Sequence, residues 1–163
     1  MAKKTLFAVA LILSGSVSAL PEDRDQPIDI QADQAVMNET ENRVRYEGAV
    51  EVQQGTFKLT GDVVDLTTND NNEVETFLAE GVPARFENQR RLTDKEPVRG
   101  KANTIRYAFD TDLVVLSGDA EVRSEGSLFA GPEITYHLES GEVIASGNRA
   151  ERVNMTMQPK TND

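Results

Sequence analysis

ANTIRYAFDTDLVVLSG, residues Ala102 to Gly118, holds the fold in miniature. Ile105 and Tyr107 alternate with polar neighbours, Asp110-Thr111-Asp112 interrupts, and Val114 and Leu116 resume the alternation before a glycine. Period-two alternation with β-branched and aromatic residues predicts two strands, each with one apolar and one wet face. The Asp-rich break predicts the turn between them. The same design occurs four times. A small residue opens each copy at Ala32, Gly61, Ala102 and Gly131, and apolar-x-apolar-x-Gly closes it at Gly48, Gly81, Gly118 and Gly147. The interval is 16 residues in copies one, three and four, and 20 in copy two, whose turn is lengthened by Asn69-Asp70-Asn71-Asn72.

One hairpin cannot bury its own apolar face, so the copies must share a core. Gly48 and Gly118 fall on the apolar parity, where a glycine permits a sharp bend. A row of such glycines at one height predicts that every strand folds over a single corner. The expected architecture is therefore all-β, a rolled antiparallel sheet of repeated short hairpin units around an apolar groove. Parity assigns Val44, Tyr46, Val50, Val52, Phe57, Leu59, Val114, Leu116, Leu128, Ile134 and Tyr136 to the inside.

The start of the chain is read separately. Lys3 and Lys4, the apolar run Leu6 to Leu13, and Val17-Ser18-Ala19 have the layout of a secretory signal peptide cleaved after Ala19. The expected organisation is a leader at 1–19, one domain at 20–155 and a disordered polar tail at 156–163. Removing Lys3 and Lys4 leaves 15 of the 17 basic residues against 28 acidic ones, a net charge of −13. Such a surface argues against nucleic acid as a partner, since phosphate neutralisation needs a cationic face.

Catalytic and cofactor-binding sets are not found. His137 is a lone histidine beside Tyr136, cysteine is absent, and Asp70-Asn71-Asn72-Glu73 lacks the spacing and central glycine of a calcium loop. The expectation is no enzyme, no metal and no cofactor. One charge feature stands out: Arg85, Arg90, Arg91, Lys95, Arg99, Lys101 and Arg106 crowd into 22 residues. It reads either as a phosphate-facing patch at a groove rim, with Arg85, Arg90 and Arg91 as headgroup contacts, or as a solvated loop balanced by Glu87, Asp94 and Glu96.

Several motifs fall in order along the chain. They are Asp25-Gln26-Pro27-Ile28-Asp29-Ile30-Gln31-Ala32-Asp33, Gly48-x-Val50-x-Val52-x-Gln54-Gly55, Gly81-x-Pro83-Ala84-x-Phe86 and Leu113-Val114-Val115-Leu116-Ser117-Gly118-Asp119-Ala120. Together they resemble the OstA-like family of periplasmic lipopolysaccharide-transport proteins. The resemblance implies a β-jellyroll with open ends, a periplasmic location and an interior that binds the lipid A part of lipopolysaccharide. It implies head-to-tail self-association, an inner-membrane bitopic subunit at the N-terminal end and the periplasmic domain of an outer-membrane translocon at the C-terminal end. By motif position it carries lipid contact onto Ile28, Phe86, Tyr107 and Phe109. Joined to the parity set, the candidate lipid-binding residues are Ile28, Tyr46, Phe57, Phe86, Tyr107, Phe109, Leu116 and Tyr136.

The physics suits such a cargo. Each acyl methylene exposed to water costs about 0.8 kcal/mol, so a dozen carbons cost on the order of 10 kcal/mol, which an apolar groove removes without chemistry. The alternative is a secreted jelly-roll module that binds polysaccharide. It would need outward aromatics, yet Tyr46, Tyr107 and Tyr136 all take the apolar parity.

Overall fold

The computed structural model describes residues 25–90, 94 and 96–157. The expected leader, Arg91, Lys95 and residues 158–163 lie outside the described residues. Among the described residues, ten strands form one antiparallel sheet: β1 (Ile28–Gln31), β2 (Gln34–Asn38), β3 (Arg43–Gln54), β4 (Phe57–Thr68), β5 (Val74–Asn88), β6 (Val98–Ala108), β7 (Leu113–Ser124), β8 (Ser127–His137), β9 (Val143–Ser146) and β10 (Asn154–Thr156). The order is β1-β3-β4-β5-β6-β7-β8-β10, with β2 also on β3 and β9 also on β8. The tail expected from 156 begins within β10, where Thr156 pairs with Leu128.

Strands β3 to β8 are 11 to 15 residues long rather than short, because each runs through a corner. Register shifts mark that corner at one level across the sheet. They fall between Glu47 and Val50, Thr60 and Val63, Glu80 and Ala84, Lys101 and Thr104, and Ser117 and Ala120. Gly48, Gly61, Gly81, Gly118 and Gly131 lie in or next to these breaks. Extra residues at bulges bend a sheet, and here the bends line up. In β3 and β7, which each hold one extra residue, the break falls on a left-handed pair, Gly48-Ala49 (φ 84° and 43°) and Gly118-Asp119 (φ 78° and 50°).

The corner divides the sheet into two layers. The four sequence repeats form only one of them, the hairpins β2–β3, β4–β5, β6–β7 and β8–β9 below the corner. The segments between repeats form the other layer, joined above the corner by the turns after Gln54 and Ser124 and by the longer link after Asn88. The layers pack face to face. Phe57 of the upper layer meets Tyr107 of the lower at 4.9 Å, and Phe86 meets Tyr136 at 5.7 Å. Between them lies one core that includes Val50, Val52, Leu59, Val64, Phe77, Ile105, Val114, Leu116, Val122 and Ile134.

One inward assignment is corrected. Leu128 pairs with Arg123 on the outward face, and its neighbour Phe129 pairs with the buried Val122 and packs on the core. The extra residue at this corner sits in β7, so β7 keeps one parity through the bend while β8 changes parity. The outward face carries ion pairs, among them Arg45–Asp65 at 2.8 Å, Arg99–Glu87 at 2.9 Å and Lys101–Glu121 at 3.1 Å. The Arg99–Glu87 and Lys101–Glu121 pairs are open to solvent and contribute little stability, while the Asp65 side chain is more covered, at 13% exposed.

Candidate functional site

The interior is a chain of rings. Tyr136 stacks on Phe86, Phe86 on Phe57 (6.4 Å), Phe57 tilts against Tyr107, Tyr107 against Phe109 (4.3 Å), and Phe109 meets Phe77 edge-on (5.4 Å). Each contact adds about 0.5–1.5 kcal/mol beyond the area it buries. Every Phe and Tyr among the described residues lies in this core or packs against it. No outward aromatic platform for a sugar exists among them.

The fold brings most of the sequence-derived residues together. Phe57, Phe86, Tyr107, Leu116 and Tyr136 are buried in the core. Ile28, Tyr46 and Phe109 are half-buried and pack against it. Ile28 sits on β1 opposite Gln54, and Tyr46 on β3 between Ala35 and Val64. Phe77 is absent from the sequence-derived contacts, yet it closes the ring chain. It holds the repeat position of Val44, Val114 and Val143, so the sequence does carry a signal for it. Gly100 matters for a different reason. It lies opposite Phe86 across β5 and β6, and a Cβ there would strike the Phe86 ring and come within 2.8 Å of Leu116. The missing side chain is the space the ring occupies.

Among the described residues, Arg85 and Arg90 do not share a face. Arg85 flanks Phe86 and therefore points the other way, exposed on the outer face between Thr60 and Lys101. Arg90 has the inward parity and lies at the rim, where its Nη1 donates to the Ser140 carbonyl at 3.0 Å and its Nη2 is 3.7 Å from Glu125 Oε1.

Beneath Arg90 lies Tyr136. Its hydroxyl is buried without a well-formed hydrogen bond. Burial raises the phenol above its ordinary 10.0, opposed by Asn88 and by the Arg90 guanidinium. A raised folded-state pKa means that the neutral phenol's contribution is complete below about pH 10 and is lost as pH climbs beyond it. Tyr136→Phe is expected to leave stability at neutral pH within about 1 kcal/mol, because an unpaired buried hydroxyl contributes little. It should also flatten the alkaline fall. Urea midpoints measured from pH 7 to 11 check both; a variant with the wild-type alkaline slope would sink this account.

The apolar interior is open at its N-terminal edge. Ala35 and Met37 of β2 face inward beside Tyr46 and Val44 but are exposed, Met37 to 68%.

Comparison with known proteins places these features in a family context. Residues 29–142 match the family described as LptA/(LptD N-terminal domain) LPS transport protein. The chain is 35% identical to the lipopolysaccharide export system protein LptH of Pseudomonas aeruginosa, over 95% of this chain and 93% of that one. It is 31% identical to the lipopolysaccharide export system protein LptA of Escherichia coli K12, over 94% and 84% of the two chains. The crystal structure of P. aeruginosa LptH superposes with a TM-score of 0.79 at 34% identity, over 85% of this chain and all of that one.

Proposed function

The chain belongs to the LptA/LptD N-terminal-domain family of lipopolysaccharide-transport proteins, as a non-enzymatic periplasmic member, and from that premise we propose that it conducts lipopolysaccharide between the two membranes along its apolar interior. Acyl chains would run between the layers, against the ring chain from Phe77 to Tyr136. Copies would join end to end, so that one interior continues into the next. An inner-membrane bitopic subunit of the same fold would meet the N-terminal edge, and the periplasmic domain of the outer-membrane translocon the C-terminal edge. Energy would come from these partners.

The observation that carries this reading is the match between the two edges. β1 and β2 run from the upper rim over the corner to the lower rim, and β9 and β10 run the opposite way. Adding β1–β2 of a second copy to β9–β10 therefore continues the antiparallel alternation. With the corners level, the cross-strand rows extend from one copy into the next. Ile144, in the row of Thr135, would face Val36, in the row of Arg45. Val143 would face Met37, and Met155 would face Ile30. Val36, Met37, Ile144 and Met155 are 50%, 68%, 47% and 51% exposed in the single chain. Exposed apolar residues on an unpaired edge invite strand addition. The two edges differ, so the contact is heterologous and can repeat.

This register is testable. A mixture of Val36→Cys and Ile144→Cys proteins is expected to form disulfide-linked dimers, which a double variant should extend into ladders. Gln34→Cys with Ile144→Cys, displaced by two residues, should link far less. Equal linkage of both pairs, or a strict monomer in concentration-dependent size measurements, would overturn the end-to-end reading.

A further inference from the structure

We propose that Arg90 is a latch across the mouth of the roll, which an anionic group on an entering amphiphile opens by taking the guanidinium from its present partners. The latch presupposes the lipid path proposed above. The interior is filled by its own side chains, so acyl chains need the layers to part. At the β8 side one charged residue reaches from one lip to the other. Arg90 follows the last residues of β5 in the upper layer and reaches the carbonyl of Ser140, in the turn after β8 in the lower layer. Its second nitrogen lies by Glu125, at the tip of the β7–β8 turn in the upper layer. Gly141 makes the seat possible, since a Cβ there would collide with the guanidinium.

The tie is one that a better partner can undo. Ser140 offers a neutral carbonyl, and the Glu125 carboxylate stands 3.7 Å away with its side chain 67% exposed. A phosphate offers a guanidinium two short, charge-assisted hydrogen bonds at once. The rim also holds the buried Tyr136 hydroxyl, which feels the Arg90 guanidinium and lies by Asn88 without a well-formed hydrogen bond. An anionic headgroup at this rim gives the guanidinium a stronger partner while releasing the lower lip, so binding and opening are one event.

Nitroxide labels at Ser127→Cys and Glu139→Cys, near the two ends of the folded β8, report the width of the mouth. The probes are n-dodecyl phosphate, the uncharged n-dodecyl maltoside and inorganic phosphate, each below any micelle-forming concentration. In the otherwise wild-type protein, dodecyl phosphate is expected to lengthen the label separation and to bind roughly tenfold more tightly than the maltoside. Arg90→Gln should be widened without ligand and should lose that preference. Glu125→Gln, which alters only an exposed partner, should shift the same balance by a smaller factor. An unchanged separation in Arg90→Gln with the preference intact overturns the latch and leaves the lipid path standing. Opening by inorganic phosphate alone shows that the latch does not read an amphiphile and overturns the proposal. If neither amphiphile binds, the lipid path fails and the latch with it.

Discussion

Phe86→Ala is expected to lower the free energy of unfolding by about 3–5 kcal/mol, the range for emptying a buried aromatic site. Phe86 is 2% exposed and joins the layers, stacked on Phe57 in its own and on Tyr136 in the other. The vacated space would collapse poorly. Its floor is Gly100, which has no side chain to move in, and its walls are rings with little freedom. Urea unfolding followed by circular dichroism measures the loss; less than about 1 kcal/mol would mean that the layers do not depend on this contact. A second substitution sharpens the test. Gly100→Ala should destabilise the wild type, because the methyl meets the Phe86 ring, but should be tolerated or helpful in the Phe86→Ala protein. The coupling across that cycle isolates the fit of ring to glycine from the general hydrophobic loss.

Much of this architecture is legible in the order of the residues. Alternation finds the strands because each straight half of a strand keeps one face on the core, and Val44, Tyr46, Val50 and Val52 all fall where parity puts them. The corner is legible too, since glycines recur at its level. What parity cannot do is cross the corner unaided. β3 and β7 hold the extra residue, so Val50 and Val122 keep the parity of Val44 and Val114. In β8 the count changes, and parity puts Leu128 inside although Phe129 is the inward residue. The repeat marks one layer and leaves the other unseen, because the upper hairpins lie between its copies.

The charged segment divides along the same lines. Arg85 adjoins the inward Phe86, and that adjacency already requires it to face outward. Arg90 has the inward parity, but its role depends on Glu125 and Ser140, which lie 35 and 50 residues further on. Such pairings follow from the closing of the roll and leave no local mark in the sequence. The exposed pairs Val36 with Met37 and Ile144 with Met155 are similar: each looks like ordinary strand sequence until the two edges are set side by side.

Gly118→Val tests the corner on which all of this depends, and it is expected to cost on the order of 2–4 kcal/mol from two sources. The first is backbone. Gly118 has φ 78° and is followed by Asp119 at 50°, so a β-branched residue would enter a region it avoids, beside another strained residue. The second is space, since a Cβ at this site comes within 2.8 Å of the Asn103 side chain at the neighbouring bend of β6. Gly126 separates the two. It has φ 79° at the tip of the β7–β8 turn, with nothing within 4 Å of the position a Cβ would take. Gly126→Val should therefore show the backbone share alone, about 1–2 kcal/mol. Equal losses at the two sites would mean that the corner is not crowded and that the glycine row reflects turn chemistry only. Gly118 also lies in β7, between the joining edges. If the variant remains folded at low temperature, the Val36–Ile144 linkage should persist in it. A corner that bends each strand locally affects stability at the strand where it is damaged, and assembly is lost only when the edge strands are altered.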